Sequence, residues 1–268
     1  MRILDAFSRS NRVLLSQLIS TDFKLRYQGS VLGYAWSLLK PLLLFVILYI
    51  VFVYFLKVGR GIEHYPVYLL LGIVLWNFFN EMTSQSLGSI VGRGDLIRKI
   101  RIPRWIIVFS SSISALINLG LNLIIVVVFM ILNGVHPGLS IFLLPLSIIE
   151  IYVFALGLAL FLSALYVKFR DVGYIWEIVL QAGFYATPII YPLGMVTILY
   201  VQKLLLLSPV AQAIQYARYN VVTTQTITSS TLYNNFFYIA LPIVLTIVIF
   251  VLGLLYFRSQ SKTFAENI

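Results

Sequence analysis

The sequence predicts an all-α integral membrane protein with six transmembrane helices. Three observations predict it: a mean hydropathy of +0.97, charged residues at only 10% of 268 positions, and apolar runs long enough to cross a bilayer. Soluble domains carry roughly 25% charge, and each membrane span uses about 20 apolar residues. A net charge of +10 would suggest nucleic acid as partner of a soluble chain. Here the basic residues sit beside apolar runs, so membrane topology accounts for them and no nucleic-acid partner is expected. The chain has no cysteine, which excludes disulfides and thiolate metal sites. Residues 1–25 alternate polar and apolar positions, so no cleavable signal peptide is expected and the spans serve as their own insertion signals.

The N-terminal arm is amphipathic. Leu4, Phe7, Leu14, Leu15, Leu18 and Ile19 recur at helical spacing opposite Asp5, Arg9, Arg12 and Gln17, which suits a helix lying in the cytoplasmic interface. The alternative is a solvated helix packed on the protein. Six spans follow, at roughly Tyr34–Leu56, Val67–Leu87, Ile106–Leu132, Ile141–Val167, Tyr174–Tyr191 and Phe236–Phe257. The fifth has the weakest hydropathy, because it carries Glu177, Gln181 and prolines; a helix is still required, since lipid offers backbone groups no other partner. Lysine and arginine orient the bundle. Fourteen flank one side and four (Lys57, Arg60, Lys203 and Arg218) the other, so both termini face the cytoplasm. The outer connection from Pro192 to Asn235 is long for a plain loop and hydrophobic, and Ser208-Pro209 divides it. Two short helices dipping back into the outer leaflet are expected there, because a mobile loop would expose too many apolar groups.

Catalytic chemistry is hard to build from this inventory. His64 and His136 lie in separate outer loops without spaced ligand partners. No Gly-x-x-x-x-Gly-Lys-Ser/Thr phosphate loop occurs, and Gly92-Arg-Gly94 lacks the spacing, so this chain is not expected to hydrolyse nucleotides. Glu150 falls at ~14 Å depth, near the midplane, where an acid defaults to a functional candidate. It reads either as a proton carrier or as a neutral carboxyl locking helices together, and the second is favoured because no chain of acids or histidines surrounds it. Lys40, early in the first span, can snorkel to headgroups or line a polar opening.

Aromatic residues suggest more. Tyr34 and Trp36 flank the cytoplasmic mouth, and Phe184, Tyr185 and Tyr191 stand toward the outer end of span five. Interfacial anchoring accounts for such positions, yet aromatic faces also stack on sugar rings and let a polymer slide; position alone leaves both open. Pro188 and Pro192 should break the outer end of span five, a place for a gate. Between Ser89 and Arg104, Ile90, Val91, Leu96, Ile97 and Ile100 punctuate a basic segment that can form a short helix ended by Pro103. An apolar and basic knob of this kind suits docking into a soluble partner; the alternative is a loop whose charges serve topology alone.

Several fragments occur in a telling order. They are Arg26-Tyr27…Ser30…Leu32-Gly33…Trp36…Pro41, Tyr65-Pro66…Gly72…Trp76-Asn77-Phe78-Phe79, Leu96-Ile97-Arg98-Lys99-Ile100…Pro103-Arg104, and Arg170-Asp171-Val172 followed by Thr187-Pro188-Ile189-Ile190-Tyr191-Pro192. In these the chain resembles the permease subunit of type-2 ABC exporters, in the branch that exports O antigen, teichoic acid or capsule. Asp95, where an asparagine-like residue would be usual, and Ser208 before Pro209 depart from the pattern.

The resemblance implies a homodimer of six-span subunits in the cytoplasmic (inner) membrane, with two separate ABC ATPase subunits holding ATP and Mg and no cofactor on this chain. It divides the chain into residues 1–33, the interface helix and linker, and 34–268, the transmembrane domain, with a coupling loop at 88–105 and outer gate helices at 192–235. The implied substrate is a lipid-linked polysaccharide; the alternative is a drug or a non-glycan lipid. Tyr34, Trp36, Phe184, Tyr185 and Tyr191 would then line the channel, and Lys24 and Arg26 would meet the lipid phosphate on grounds of charge and position. Arg93, Asp95, Leu96, Arg98 and Lys99 would couple to the ATPase, and Pro188, Pro192 and Pro209 would shape the gate. A membrane glycosyltransferase or lipid phosphatase would need a paired acidic motif or a His/Arg constellation at one membrane face, and none is present.

Overall fold

A computed structural model describes residues 9–27, 30, 32–33, 35–59, 61–99, 103–136 and 138–264, without the side chains of 9–10, 23 and 25–27. Tyr34, Ile100 and the side chain of Arg26 therefore lie outside the described residues. Within them the fold is helical and no strand occurs.

The arm forms α1, Arg9–Tyr27. Its Leu18 is buried while Val13 stays exposed, and the helix packs along α5. The first span is α2, Ala35–Tyr49, prolonged by a π-helical stretch over Ile50–Phe55. Next comes α3, Tyr65–Ser89, at 25 residues about 37 Å long. The basic loop folds as a 3-10 turn, Val91–Arg93, and a short α4, Gly94–Lys99, with Pro103 shortly after. Then follow α5, Trp105–Leu132, and α6, Leu144–Lys168, entered through a 3-10 turn at Leu139–Leu143. The fifth expected span is α7, Val172–Ala186. It stops five residues before Tyr191, because Thr187 precedes a proline and takes the extended conformation that Pro188 imposes on its neighbour. The outer connection holds α8, Leu199–Leu206, α9, Pro209–Val221, and a single turn α10, Ser229–Leu232. Ser208 is the extended residue between α8 and α9, and Pro209 occupies the first turn of α9, where its missing N–H costs nothing. The last helix is α11, Phe236–Gln260.

Four of these segments, 35–55, 105–132, 139–168 and 236–260, are long and apolar enough to cross a membrane. α3 is not among them, because Asn77, Asn80, Glu81 and the Thr83–Ser86 run lower its hydropathy; its apolar half is shielded instead. Every residue from Val67 to Trp76 is buried, so α3 meets protein where the other helices meet lipid. It forms the axis around which α2, α5, α6, α7 and α9 pack.

The closest helix contact joins α6 to α11. A Cβ built on Gly253 would lie 2.1 Å from the Gly157 carbonyl oxygen, and one on Gly157 would lie 2.5 Å from the Phe250 Cα. The two backbones touch, as small residues permit inside membranes, where dispersion rather than the hydrophobic effect drives helix association. Just beyond, at the C-terminal end of α11, Arg104 donates to the carbonyl of Ser261, and Phe264 packs edge-on against Phe257. The tail is thereby tied to the start of α5.

Candidate functional site

Where α3 is not buried, it is polar. Asn77, Asn80, Glu81, Ser84 and Gln85 are its partly or fully exposed residues after Val67, up to the last turn. Their spacing of three and four places them on one stripe of the helix. Ser84 Oγ donates to Asn80 Oδ1 at 3.0 Å, and Gln85 Nε2 to Glu81 Oε1 at 2.7 Å. In a protein with 60% hydrophobic residues, a polar stripe on the central helix is the candidate functional surface.

Two clefts open on this stripe, and Leu44, Asn77, Asn80 and Ser84 line both. The first, about 680 Å³, lies toward α7 and takes its aromatic wall from Trp76, Trp176, Phe184 and Tyr185. The second, about 510 Å³, lies between α2, α3 and α5 and holds Trp36, Lys40, Glu81, Asn118 and Asn122. The α7 wall is rigidly placed. Trp176 Nε1 donates to Thr83 Oγ1 at 3.1 Å, Phe184 meets Trp76 edge-on at 6.1 Å, and Gly183 lets α7 approach so closely that a Cβ there would be 2.9 Å from the Trp76 ring. Tyr185 is 62% exposed.

Trp36 thus lines one cleft, and Phe184 and Tyr185 the other. Tyr191 lines neither. Its hydroxyl reaches the carbonyls of Tyr185 (3.3 Å) and Ala186 (3.1 Å) and caps the open C-terminus of α7. Lys24 is exposed on α1, apart from both clefts. Glu150 sits on α6 with Oε1 buried and unpartnered, and among the described residues no group of three or more His, Asp or Glu gathers as a metal site.

The basic loop divides into an anchor and an exposed edge. Ile90 and Ile97 are buried, whereas Asp95, Arg98 and Lys99 are exposed and Leu96 is half-buried. Arg93 faces inward. It pairs with Asp22 of α1 and donates to Ser110 Oγ of α5 at 3.0 Å, so it clamps arm, loop and span together. Arg93→Ala is expected to cost about 1–3 kcal/mol, because Asp22, whose Oδ2 is already buried without a partner, loses its cation. Faster proteolysis of α1 in the variant, with Arg98→Ala unaffected, is the measurement; equal rates would show that Arg93 carries no such load.

At the opposite end, the break after α7 is locked by a residue that sequence reasoning placed among the outer loop charges. Arg218 of α9 is fully buried. It donates to the carbonyls of Tyr68 (2.9 Å), Pro188 (2.5 Å) and Ile189 (2.6 Å) and to Gln215 Oε1 (3.2 Å). Its guanidinium carbon stands 3.7 Å from the centre of the Tyr68 ring, and no carboxylate is among its partners. Gly72 provides the space, since a Cβ there would be 2.1 Å from Nη2. Tyr65 adds a hydrogen bond from its hydroxyl to the carbonyl of Ile190. Pro188 is buried inside this lock, and Pro192 begins the 3-10 turn Leu193–Met195 beyond it. Neither the α3 stripe nor Arg218 figured among the sequence candidates. The stripe was legible as polar residues at helical spacing inside an apolar span. Nothing local distinguishes Arg218 from a solvated arginine.

Comparison with known proteins agrees with this architecture. The model of the ABC-2 type transporter family matches residues 13–222, a stretch that holds most of α1, both clefts, the basic loop and Arg218. The chain is similar to the O-antigen export system permease protein RfbA of Myxococcus xanthus, 31% identical over 183 residues, covering 68% of this chain and 70% of that protein. It is 32% identical over 184 residues to a protein of the same name from Klebsiella pneumoniae, with the same coverage of each chain. An all-helical chain with four strongly apolar helices, matched by this family over most of its length, is a multi-pass membrane permease and belongs to the ABC-2 type transporter family.

Proposed function

We propose that this chain is the transmembrane subunit of an ATP-driven exporter that moves a lipid-linked polysaccharide across the cytoplasmic membrane. The observation that carries this reading is the polar stripe of α3 between two aromatic-walled clefts, in a chain whose relatives are named as O-antigen export permeases. Polar amides and hydroxyls flanked by aromatic faces suit a hydrated glycan. An apolar drug or a bare lipid would leave them unmatched.

In this reading α3 and α7 complete a six-span subunit. α3 spans without high hydropathy because protein shelters it. α7, about 22 Å long, reaches the far side through the extended Thr187–Pro192 segment. Both termini lie in the cytoplasm, and α8 and α9 form the re-entrant outer pair. Two copies enclose the path. The apolar outer face of α7, with Tyr174, Ile175 and Ile178 each more than 60% exposed, turns toward the second copy or the lipid. The exposed edge Asp95, Arg98 and Lys99 meets an ABC ATPase subunit, two of which supply ATP and Mg. Lys24 and Arg26, near the cytoplasmic headgroups, meet the lipid phosphate.

The test is made in the native host. Deleting the gene should abolish surface polysaccharide while the lipid-linked form accumulates inside, and the tagged chain should co-purify an ABC ATPase. Arg98→Glu with Lys99→Glu should reduce that co-purification without lowering the amount of membrane protein. Normal surface polysaccharide in the deletion strain would sink the substrate assignment, and a chain that never retains an ATPase would sink the coupling.

A further inference from the structure

On the α2–α5 side of the stripe, two buried amide oxygens, those of Asn118 and Asn122, have no hydrogen-bond partner. Asn118 and Asn122 stand one turn apart on α5, 3% and 8% exposed, and both line the smaller cleft. Asn118 donates its amide to the Glu81 carboxylate. Asn122 donates to the carbonyl of Asn118 at 2.8 Å and to that of Ser37 at 3.4 Å. Reversing either amide would set its oxygen against another oxygen, so both orientations are fixed by their surroundings. The two Oδ1 atoms remain as acceptors, and neither has a hydrogen-bond partner. In the same cleft Trp36 offers an indole 43% exposed, and Lys40 is the sole cation of the lining.

Fixed acceptors beside an aromatic face match a pyranose ring, whose hydroxyls donate and whose C–H face stacks. A phosphate demands the opposite, a ring of donors, and would face the Glu81 carboxylate. An acyl chain would satisfy nothing. The geometry points to a sugar subsite in the α2–α3–α5 cleft, where Glu81, Asn118 and Asn122 accept from one glycosyl unit and Trp36 stacks on it. The volume of about 510 Å³ is in the range of small-molecule sites, about 300–1,000 Å³. Both amide oxygens lie just beneath the wall, next to the long contact by which α2 rests on Asn122, and a sugar hydroxyl entering there loosens that contact to reach them. This subsite rests on the polysaccharide reading above, and the Asn77–Asn80–Ser84 stripe separates it from the aromatic wall of α7.

The test uses the complete transporter in its native host. A photoreactive benzophenone residue is placed at Gln85, which lines only the smaller cleft, or at Tyr185, which lines only the larger. After illumination, glycan adducts of the host's own polysaccharide are detected by periodate oxidation and hydrazide–biotin. Adducts are expected at both positions. Asn118→Leu or Asn122→Leu should lower the adduct at position 85 at least about fivefold, the equivalent of one hydrogen bond, and leave that at 185 unchanged. If a leucine variant does not accumulate, Glu81→Gln, which removes the charge without changing the shape, is read in the same way. An adduct at 185 alone, or one at 85 undiminished in the variants, overturns the subsite and spares the transport reading. No adduct at either position, with transporter at normal level, overturns the polysaccharide reading itself.

Discussion

Arg218→Met is expected to destabilise the protein by about 2–4 kcal/mol, because charge-assisted hydrogen bonds contribute roughly 1.5–3 kcal/mol each and relief of a buried charge offsets part of the loss. The carbonyls of Tyr68, Pro188 and Ile189 lose their donor in a place that water does not reach. Arg218→Lys should fall between wild type and methionine, since a single ammonium cannot serve three carbonyls with the planar fork of a guanidinium. Gly72→Ala attacks the same lock from the other side. Its Cβ would stand 2.1 Å from Nη2, so the guanidinium must leave its partners, at about 1–3 kcal/mol. The double variant should then cost less than the sum of the singles, because the alanine has nothing left to displace. Thermal unfolding of the purified protein measures all four. Additive losses would show that Gly72 and Arg218 act independently.

The second large effect is at the α6–α11 crossing. Gly253→Leu and Gly157→Leu are each expected to cost more than about 3 kcal/mol, beyond the usual range for overpacking, and to lower the yield of monodisperse protein sharply. The obstacle is backbone in both cases, the Gly157 carbonyl and the Phe250 Cα, so no rotamer change relieves it and the helices must separate. Gly120 serves as control. It is an exposed helical glycine of α5 with nothing within 4 Å of its added Cβ, and Gly120→Ala should be neutral or stabilise by up to about 1 kcal/mol. A leucine at 253 that unfolds at the wild-type temperature would show that this crossing bears little load.

Much of the architecture was legible before any coordinates. The apolar runs, the division of the outer connection at Ser208-Pro209 and the short helix before Pro103 all follow from local chemistry: length, proline geometry and periodicity. The helix of the fifth expected span ends at Ala186, before the expected Tyr191. The prolines were visible, but the capping of α7 by the Tyr191 hydroxyl reaches back five and six residues and returns the chain on itself. Trp36 and Tyr185 were picked out as aromatics near a path. That they border two clefts on opposite sides of one stripe required the position of α3.

By itself, then, the sequence determined that this is a helical membrane protein, where its apolar helices run, and which family it resembles, because hydropathy, charge and proline act over a few neighbouring residues. Tertiary structure alone decided that α3 is the buried axis, that its only open stripe is polar, and that Arg218 is a lock rather than a loop charge. An arginine with a solvated head and one held by carbonyls from Tyr68, Pro188 and Ile189 look alike along the chain. They differ only in what two distant segments, Tyr68 on α3 and Pro188–Ile189 after α7, bring to it, and burial is a property of that assembly.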